Sequence, residues 1–258
     1  MHYVVSDIHG CYDALRSALD FSHFDGANDH LYVLGDILDR GPQNAELVNF
    51  IVKNSNYIHV LRGNHEDMWL VDTTKEHENL ELIVNDSWSR DFGCGGHYNL
   101  TSQDLFEGTT TETRKKFFDM IEHAPLLQDL EINNRKIVLV HAGLRPPVEG
   151  GDWFEQKEQD LLWIRNPWLS TTQSTNFLTI FGHTPVQNLS DFVKEDGFQQ
   201  MAQSPKVAYW NNKIDIDCGV SMNGALALMC LETLDIWYTN QNKDWILKEN
   251  LRDRYFID

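Results

Sequence analysis

Residues 35–41 read Gly35-Asp36-Ile37-Leu38-Asp39-Arg40-Gly41, which crowds two carboxylates and a guanidinium into one short loop bracketed by glycines. Such crowding is costly unless something of high charge is bound there, and the two candidates are metal ions and phosphate. The same kind of polar ending recurs four more times, as Asp7-Ile8-His9-Gly10, Gly63-Asn64-His65-Glu66, His141-Ala142-Gly143 and Gly182-His183-Thr184-Pro185. Aspartate, asparagine and histidine, with no thiolate among them, are the donors that hard and borderline divalent metals prefer.

Each of these strings directly follows an apolar run. Residues 3–5, 31–34, 58–61, 137–140 and 178–181 read as buried strands, and ligands of open α/β sheets collect at the carboxyl ends of strands. Between the first two strands, Tyr12, Leu15, Ala18 and Leu19 recur at helical spacing and predict a crossover helix over residues 11–21. Pro42 is placed to open a second helix, with Leu47, Val48 and Ile51 as its apolar stripe. Two βαβ units in the first 62 residues imply a parallel core.

Residues 66–123 change character and read as a helical insertion, with Phe117, Phe118 and Ile121 as a late stripe. A glycine-rich turn over residues 92–99 makes His97 and Tyr98 candidates for facing the substrate. From residue 126 the pattern turns to strands. Asn133-Asn134 reads as a hairpin turn between residues 130–132 and 136–140, and residues 207–210, 213–217, 225–231 and 235–238 supply further short strands. Without repeats or linkers, residues 1–258 are expected to form one α/β domain with two sheets flanked by helices.

The composition, 41% hydrophobic and 23% charged, is that of a globular chain, and no apolar run approaches the roughly 20 residues of a membrane span. Met1-His2-Tyr3 leads straight into the first strand without a basic, then apolar, leader, so a cytoplasmic protein is expected. Cys11, Cys94, Cys218 and Cys230 lack metal or redox spacing, and reduced thiols are expected. Thirty-nine acids against 21 bases give a net charge of −18, which repels nucleic acid at long range and argues against it as a partner. Bound cations can nevertheless make one site positive within an acidic molecule.

Taken in order, Asp-x-His, Gly-Asp-x-x-Asp-Arg-Gly, Gly-Asn-His-Glu, His-Ala-Gly and Gly-His-Thr resemble the motifs of calcineurin-like metallophosphoesterases. Within that group, Asp-Arg-Gly together with Gly-Asn-His-Glu resembles the phosphoprotein phosphatases, and most closely their short bacterial and phage (lambda-phosphatase-like) serine/threonine members. With each fixed position matched by roughly one residue in twenty, nine fixed positions in two motifs give a chance match of about 10⁻¹² before placement.

The resemblance implies a four-layer αββα sandwich with two central mixed β-sheets. It implies that Asp7, His9 and Asp36 hold one divalent ion and that Asp36, Asn64, His141 and His183 hold the other, with Asp36 bridging. Manganese is the expected metal, with iron or zinc as alternatives. Two such ions activate a shared water and clamp phosphate oxygens, so the expected nucleophile is hydroxide rather than a side chain. His65 is the expected general acid, Asp39 its orienting partner, and Arg40 and Arg165 the phosphate-binding arginines. Arg62 is expected to make a structural pair with Glu66 or Asp67, and Asp217 is a candidate for orienting a ligating histidine.

The expected activity is hydrolysis of phosphoserine and phosphothreonine, in protein or in a smaller phosphate. Its rivals are symmetric bis(5'-nucleosyl)-tetraphosphate hydrolysis and a broad small-molecule phosphatase. The tetraphosphatases resemble this chain in most metal motifs but lack the Asp of Asp-Arg-Gly and end the third motif in Asp, where this chain carries Asp39 and Glu66.

Overall fold

A computed structural model describes residues 1–76, 97–148, 151–194, 205–241 and 246–255. The chain begins β1 (His2–Val5), α1 (Tyr12–Phe21), β2 (His30–Val33), α2 (Asn44–Lys53) and β3 (Ile58–Val60). The three strands pair in parallel, with Tyr3 beside Leu31 and Val33 beside Val60. The apolar stripes explain the crossovers: Ala14, Leu15, Ala18 and Leu19 of α1, and Leu47, Val48 and Ile51 of α2, are all buried. Helix α2 begins two residues after Pro42. Its first amides are capped from outside by Asp104, whose Oδ2 accepts from Asn44 N at 2.7 Å and Ala45 N at 3.1 Å.

Three helices follow, α3 (Asn64–Glu76), α4 (His97–Gly108) and α5 (Thr111–Glu122). The expected insertion is thus helical where it is described, but the helix opens two residues earlier than the sequence suggested, within the Gly-Asn-His-Glu motif itself. The side chains of His97 and Tyr98 lie outside the described residues, as does Cys94.

Strands β4 (Leu127–Ile132) and β5 (Arg135–Val140) form the expected hairpin, and Asn133 and Asn134 take φ of 52° and 61°, as a tight two-residue hairpin turn requires. After α6 (Glu158–Trp163) come β6 (Leu178–Phe181), β7 (Ala208–Trp210), β8 (Lys213–Asp215), β9 (Leu226–Cys230), β10 (Asp235–Thr239) and β11 (Ile246–Asn250). The first sheet runs β11-β10-β9-β1-β2-β3 and the second β4-β5-β6-β8-β7, each mixing parallel and antiparallel pairs.

One core lies between the sheets, where Val4, Tyr32, Met229 and Ile236 meet Ile137, Leu139, Ile180 and Ile214. A second core lies under α1, α2 and α5, on the opposite face of the first sheet. Against the second sheet the described chain sets α6 and a tryptophan-rich stretch, in which Trp168 meets Phe181 edge-on at 5.5 Å. Strand β11 was not expected: Lys248, Glu249 and Asn250 make it a polar edge, braced by Lys248 Nζ on Asp235 Oδ2 at 3.0 Å. Among the described residues no helix is long and apolar enough to cross a membrane.

Candidate active site

The five polar strings leave the carboxyl ends of β1, β2, β3, β5 and β6, three from one sheet and two from the other, and meet along one edge of the sandwich. Backbone bonds pin the loops together. Asp7 N donates to Gly35 O, His9 N to Asp36 O and Gly182 N to His141 O. Two carboxylates extend this lattice, as His65 N donates to Asp36 Oδ1 at 3.0 Å and His183 N to Asp7 Oδ2 at 2.9 Å, the latter joining the two sheets.

Asp7, His9, Asp36, Asp39, Arg40 and His183 all take positive φ, between 45° and 74°. Non-glycine residues rarely adopt that conformation, and a cluster of them is the backbone strain typical of sites whose surroundings over-determine them. Gly63 supplies the remaining room, since a Cβ there would stand 2.4 Å from Asp36 Oδ1.

Asp7, His9, Asp36, Asn64, His141 and His183 are buried and brought together. His9 donates Nδ1–H to Leu38 O at 2.8 Å, which turns its Nε2 lone pair toward Asp36 Oδ2 at 3.5 Å and Asp7 Oδ1 at 4.0 Å without a hydrogen-bond partner. His141 likewise engages Leu34 O through Nδ1 at 2.8 Å, so Nε2 faces Asn64 Oδ1 at 2.9 Å and Asp36 Oδ1 at 3.4 Å. Asn64 Oδ1 is also 2.9 Å from His183 Nδ1. Lone pairs and carboxylate oxygens aimed at one another suit an intervening cation, and backbone carbonyls fixing the distal imidazole nitrogens are what metal-bound histidines ordinarily have. The residues present therefore fit divalent metals in two adjoining sets that share Asp36, which joins His9 and His65 on one side, with Asp7 Oδ1 4.0 Å from His9, and His141 and His183 on the other.

The electrostatics agree. Burial drives the His9 imidazole down to about 3, keeping its lone pair free. Burial opposes the Asp36 charge, yet the imidazoles of His141, His65, His9 and His183 outweigh it and hold the carboxyl well below its ordinary value. Asp7 moves the other way, raised by burial and by Asp36.

His65 differs from its neighbours. Its Nδ1 is 2.7 Å from Asp39 Oδ2, its Nε2 3.3 Å from Arg40 Nη2 and 3.8 Å from Asp36 Oδ2. Burial would lower its pKa, but the Asp36 charge and the Asp39 hydrogen bond prevail and raise it to about 9. Asp39 is itself anchored, with Asn44 Oδ1 accepting its amide at 2.9 Å and Trp69 Nε1 donating to its carboxylate at 3.3 Å. Arg40 is exposed beside this pair. Arg165, also exposed, stands near enough to His183 to depress its imidazole, after burial and His141.

One alternative pairing and one candidate role fall away. Glu66 does not pair with Arg62; its fully buried carboxylate accepts from the amides of Asp36 (2.7 Å), Ile37 (2.8 Å), Gly63 (3.1 Å) and Leu38 (3.4 Å). It clamps the β2 loop to the start of α3. Burial and Asp36 raise its pKa to about 7 despite the amides that favour its charge. Arg62 makes the structural pair expected of it with Asp67, at 3.3 Å, and also reaches Glu158 at 3.3 Å. Asp217 Oδ1 accepts from Gly219 N at 2.9 Å rather than orienting a histidine, and burial together with Asp7 raises its carboxyl well above the ordinary value. Sequence reading also passed over Asn44, Trp69 and Ser6, whose Oγ donates to Asp7 Oδ2 at 2.5 Å.

The chain is similar to several known proteins. Over 156 residues it is 30% identical to the symmetrical bis(5'-nucleosyl)-tetraphosphatase of Wigglesworthia glossinidia brevipalpis, covering 58% of this chain and 47% of that protein. It thus spans about half the length of the tetraphosphatases it matches. Serine/threonine-protein phosphatase 1 of Salmonella typhimurium is 27% identical over 195 residues, covering 74% of this chain and 81% of its own. In fold, it matches the crystal structure of a putative diadenosine tetraphosphatase with a TM-score of 0.57 at 18% identity, over 96% of this chain and 92% of that one. The model of the calcineurin-like phosphoesterase family, finally, aligns with residues 3–212, a span that holds all five strand-end motifs and the buried acids and imidazoles they bring together. By that match the chain belongs to the calcineurin-like phosphoesterases.

Proposed function

We propose that this protein is a phosphomonoesterase acting on phosphoserine and phosphothreonine with two divalent ions, manganese foremost, held by Asp7, His9 and Asp36 and by Asp36, Asn64, His141 and His183. Bound there, the ions would activate water as the attacking group and neutralise phosphate oxygens. The observation that carries the reading is the His65–Asp39 contact at 2.7 Å. His9 and His65 lie 4.7 Å apart ring to ring, yet their surroundings push them in opposite directions, to about 3 and about 9. Such a split separates a group that offers a lone pair from one that offers a proton.

His65 accordingly donates its Nε2 proton to the leaving alkoxide as the bond from phosphorus to that oxygen breaks, while water oxygen bonds to phosphorus from the opposite side. Asp39 holds the ring and stabilises its charged form. Arg40 and Arg165 grip the non-bridging phosphate oxygens, for which the planar guanidinium is suited. An alkoxide leaving group needs that proton, whereas a nucleoside polyphosphate leaves as a stabilised anion and has less use for a protonated His–Asp pair.

A second reading, cleavage of dinucleoside tetraphosphates, is favoured by the names of relatives that are 30% and 28% identical to the chain over 156 and 144 residues. Initial rates of the manganese-loaded protein on phosphoserine and phosphothreonine peptides and on diadenosine tetraphosphate decide between them. Faster peptide turnover supports the phosphatase; faster dinucleotide cleavage overturns it.

A further inference from the structure

A cavity of about 640 Å³ opens beside the metal-ligand cluster, walled by α6 and the turns on either side of it, with Arg145, Lys157, Asp160, Trp163, Ile164 and Arg165 in its lining. It adjoins the site through two contacts. Ala142 N, next to His141, donates to Leu161 O of α6 at 2.9 Å, and the Trp163 ring meets His183 edge-on at 6.0 Å. Arg165, to which the reading above gives a phosphate oxygen, also lines this cavity and is near enough to influence His183.

The charge of the cavity is opposite to that of the molecule. Among the described residues three cations line it against one acid, in a chain whose net charge is −18. The one acid is already neutralised, because Arg145 grips Asp160 through Nε at 2.7 Å and Nη2 at 2.5 Å. Glu158, the residue after Lys157, is engaged by Arg62. The wall is braced as well, since Gln156 accepts from Arg145 N through Oε1 and donates to Arg145 O through Nε2. Lys157 is exposed, and its charge and that of Arg165 are left facing a fixed concavity.

We propose, building on the phosphatase reading above, that this cavity is a second-anion subsite, which selects phosphopeptides carrying an aspartate or glutamate near the phosphorylated residue. The acidic surface elsewhere repels such a peptide, so the lining cations set both where its carboxylate docks and its direction across the phosphate site.

The test is competition between two phosphothreonine peptides of one sequence, one with glutamates flanking the phosphothreonine and one with glutamines, hydrolysed by the manganese-loaded full chain. The wild type is expected to favour the acidic peptide by about five-fold in kcat/KM, the size of one partly exposed ion pair, and less at high salt. Lys157→Glu is expected to abolish or invert that ratio and Lys157→Arg to keep it. Each ratio is internal to one preparation, so neither depends on how much enzyme folds. Equal rates on the two peptides, or an acidic preference that survives Lys157→Glu, overturns the subsite and leaves the phosphatase standing. No turnover of either peptide alongside cleavage of diadenosine tetraphosphate overturns the phosphatase, and the subsite with it.

Discussion

His65 Nδ1 and Asp39 Oδ2 lie 2.7 Å apart, joining the loop after β2 to the first turn of α3, and both side chains are buried. The imidazole therefore has one orientation, set by a carboxylate that Trp69 and Asn44 hold in turn. His65→Asn is expected to lower kcat by about 10²–10⁴, the usual range for loss of a general acid, with metal content unchanged. Asp39→Asn is expected to cost less and to leave KM for a small phosphate unaltered. Steady-state kinetics with metal analysis on the same samples checks both, and loss of an ion from His65→Asn would make His65 a ligand instead.

Glu66 holds four backbone amides with one buried carboxylate, and an amide side chain offers one acceptor and an N–H that would confront another N–H. Glu66→Gln is expected to destabilise the fold by about 2 kcal/mol or more and to weaken metal binding by about 10–100-fold, since Asp36 rides on the clamped loop. Urea unfolding and calorimetric metal titration measure the two effects. Normal metal affinity in this variant would show that the clamp does not govern the position of Asp36.

Gly63 leaves room for Asp36. A Cβ there would also stand 2.8 Å from Glu66 Oε2, so Gly63→Ala is expected to displace Asp36 and abolish binding of the shared metal pair, whereas the folded secondary structure survives. Circular dichroism and metal stoichiometry report on these separately. Retention of both ions would contradict a bridging Asp36.

Chelation is expected to abolish activity and lower Tm. Restoring Mn²⁺ to about 100 times its Kd should return about 2.7 kcal/mol per site, if the unfolded chain does not bind it. In the chelated protein His65 titrates near 9 against an ordinary 6.5. Its folded value is raised, so the stabilisation by charged His65 is complete below pH 6.5 and is lost as pH rises through about 9. Urea unfolding in the presence of chelator should show the difference between wild type and His65→Asn shrinking across that window. A difference that grows with pH would mean His65 is buried neutral.

What the sequence determined by itself was whatever lies within a few consecutive residues. An apolar run followed by Asp, Asn or His identifies a strand and its polar end, and the hairpin turn at Asn133-Asn134 and the stripe of α1 are equally local. Hence the fold class and the six buried donors were legible, all on strand ends that the sandwich edge gathers. The roles of Glu66, Asp104 and Arg62 were decided only by the tertiary structure. Glu66 meets Asp36 across 30 residues, Asp104 meets Asn44 across 60, and Arg62 finds Glu158 across 96. A buried carboxylate takes whichever donors the packing presents, and sequence neighbours such as Arg62 and Glu66 point to different surroundings once α3 forms. The six positive φ angles likewise follow from loops tied to one another rather than from residue type. The cation-lined cavity needs the bend of the chain around α6, which no local pattern encodes, to set Arg145, Lys157 and Arg165 around one space.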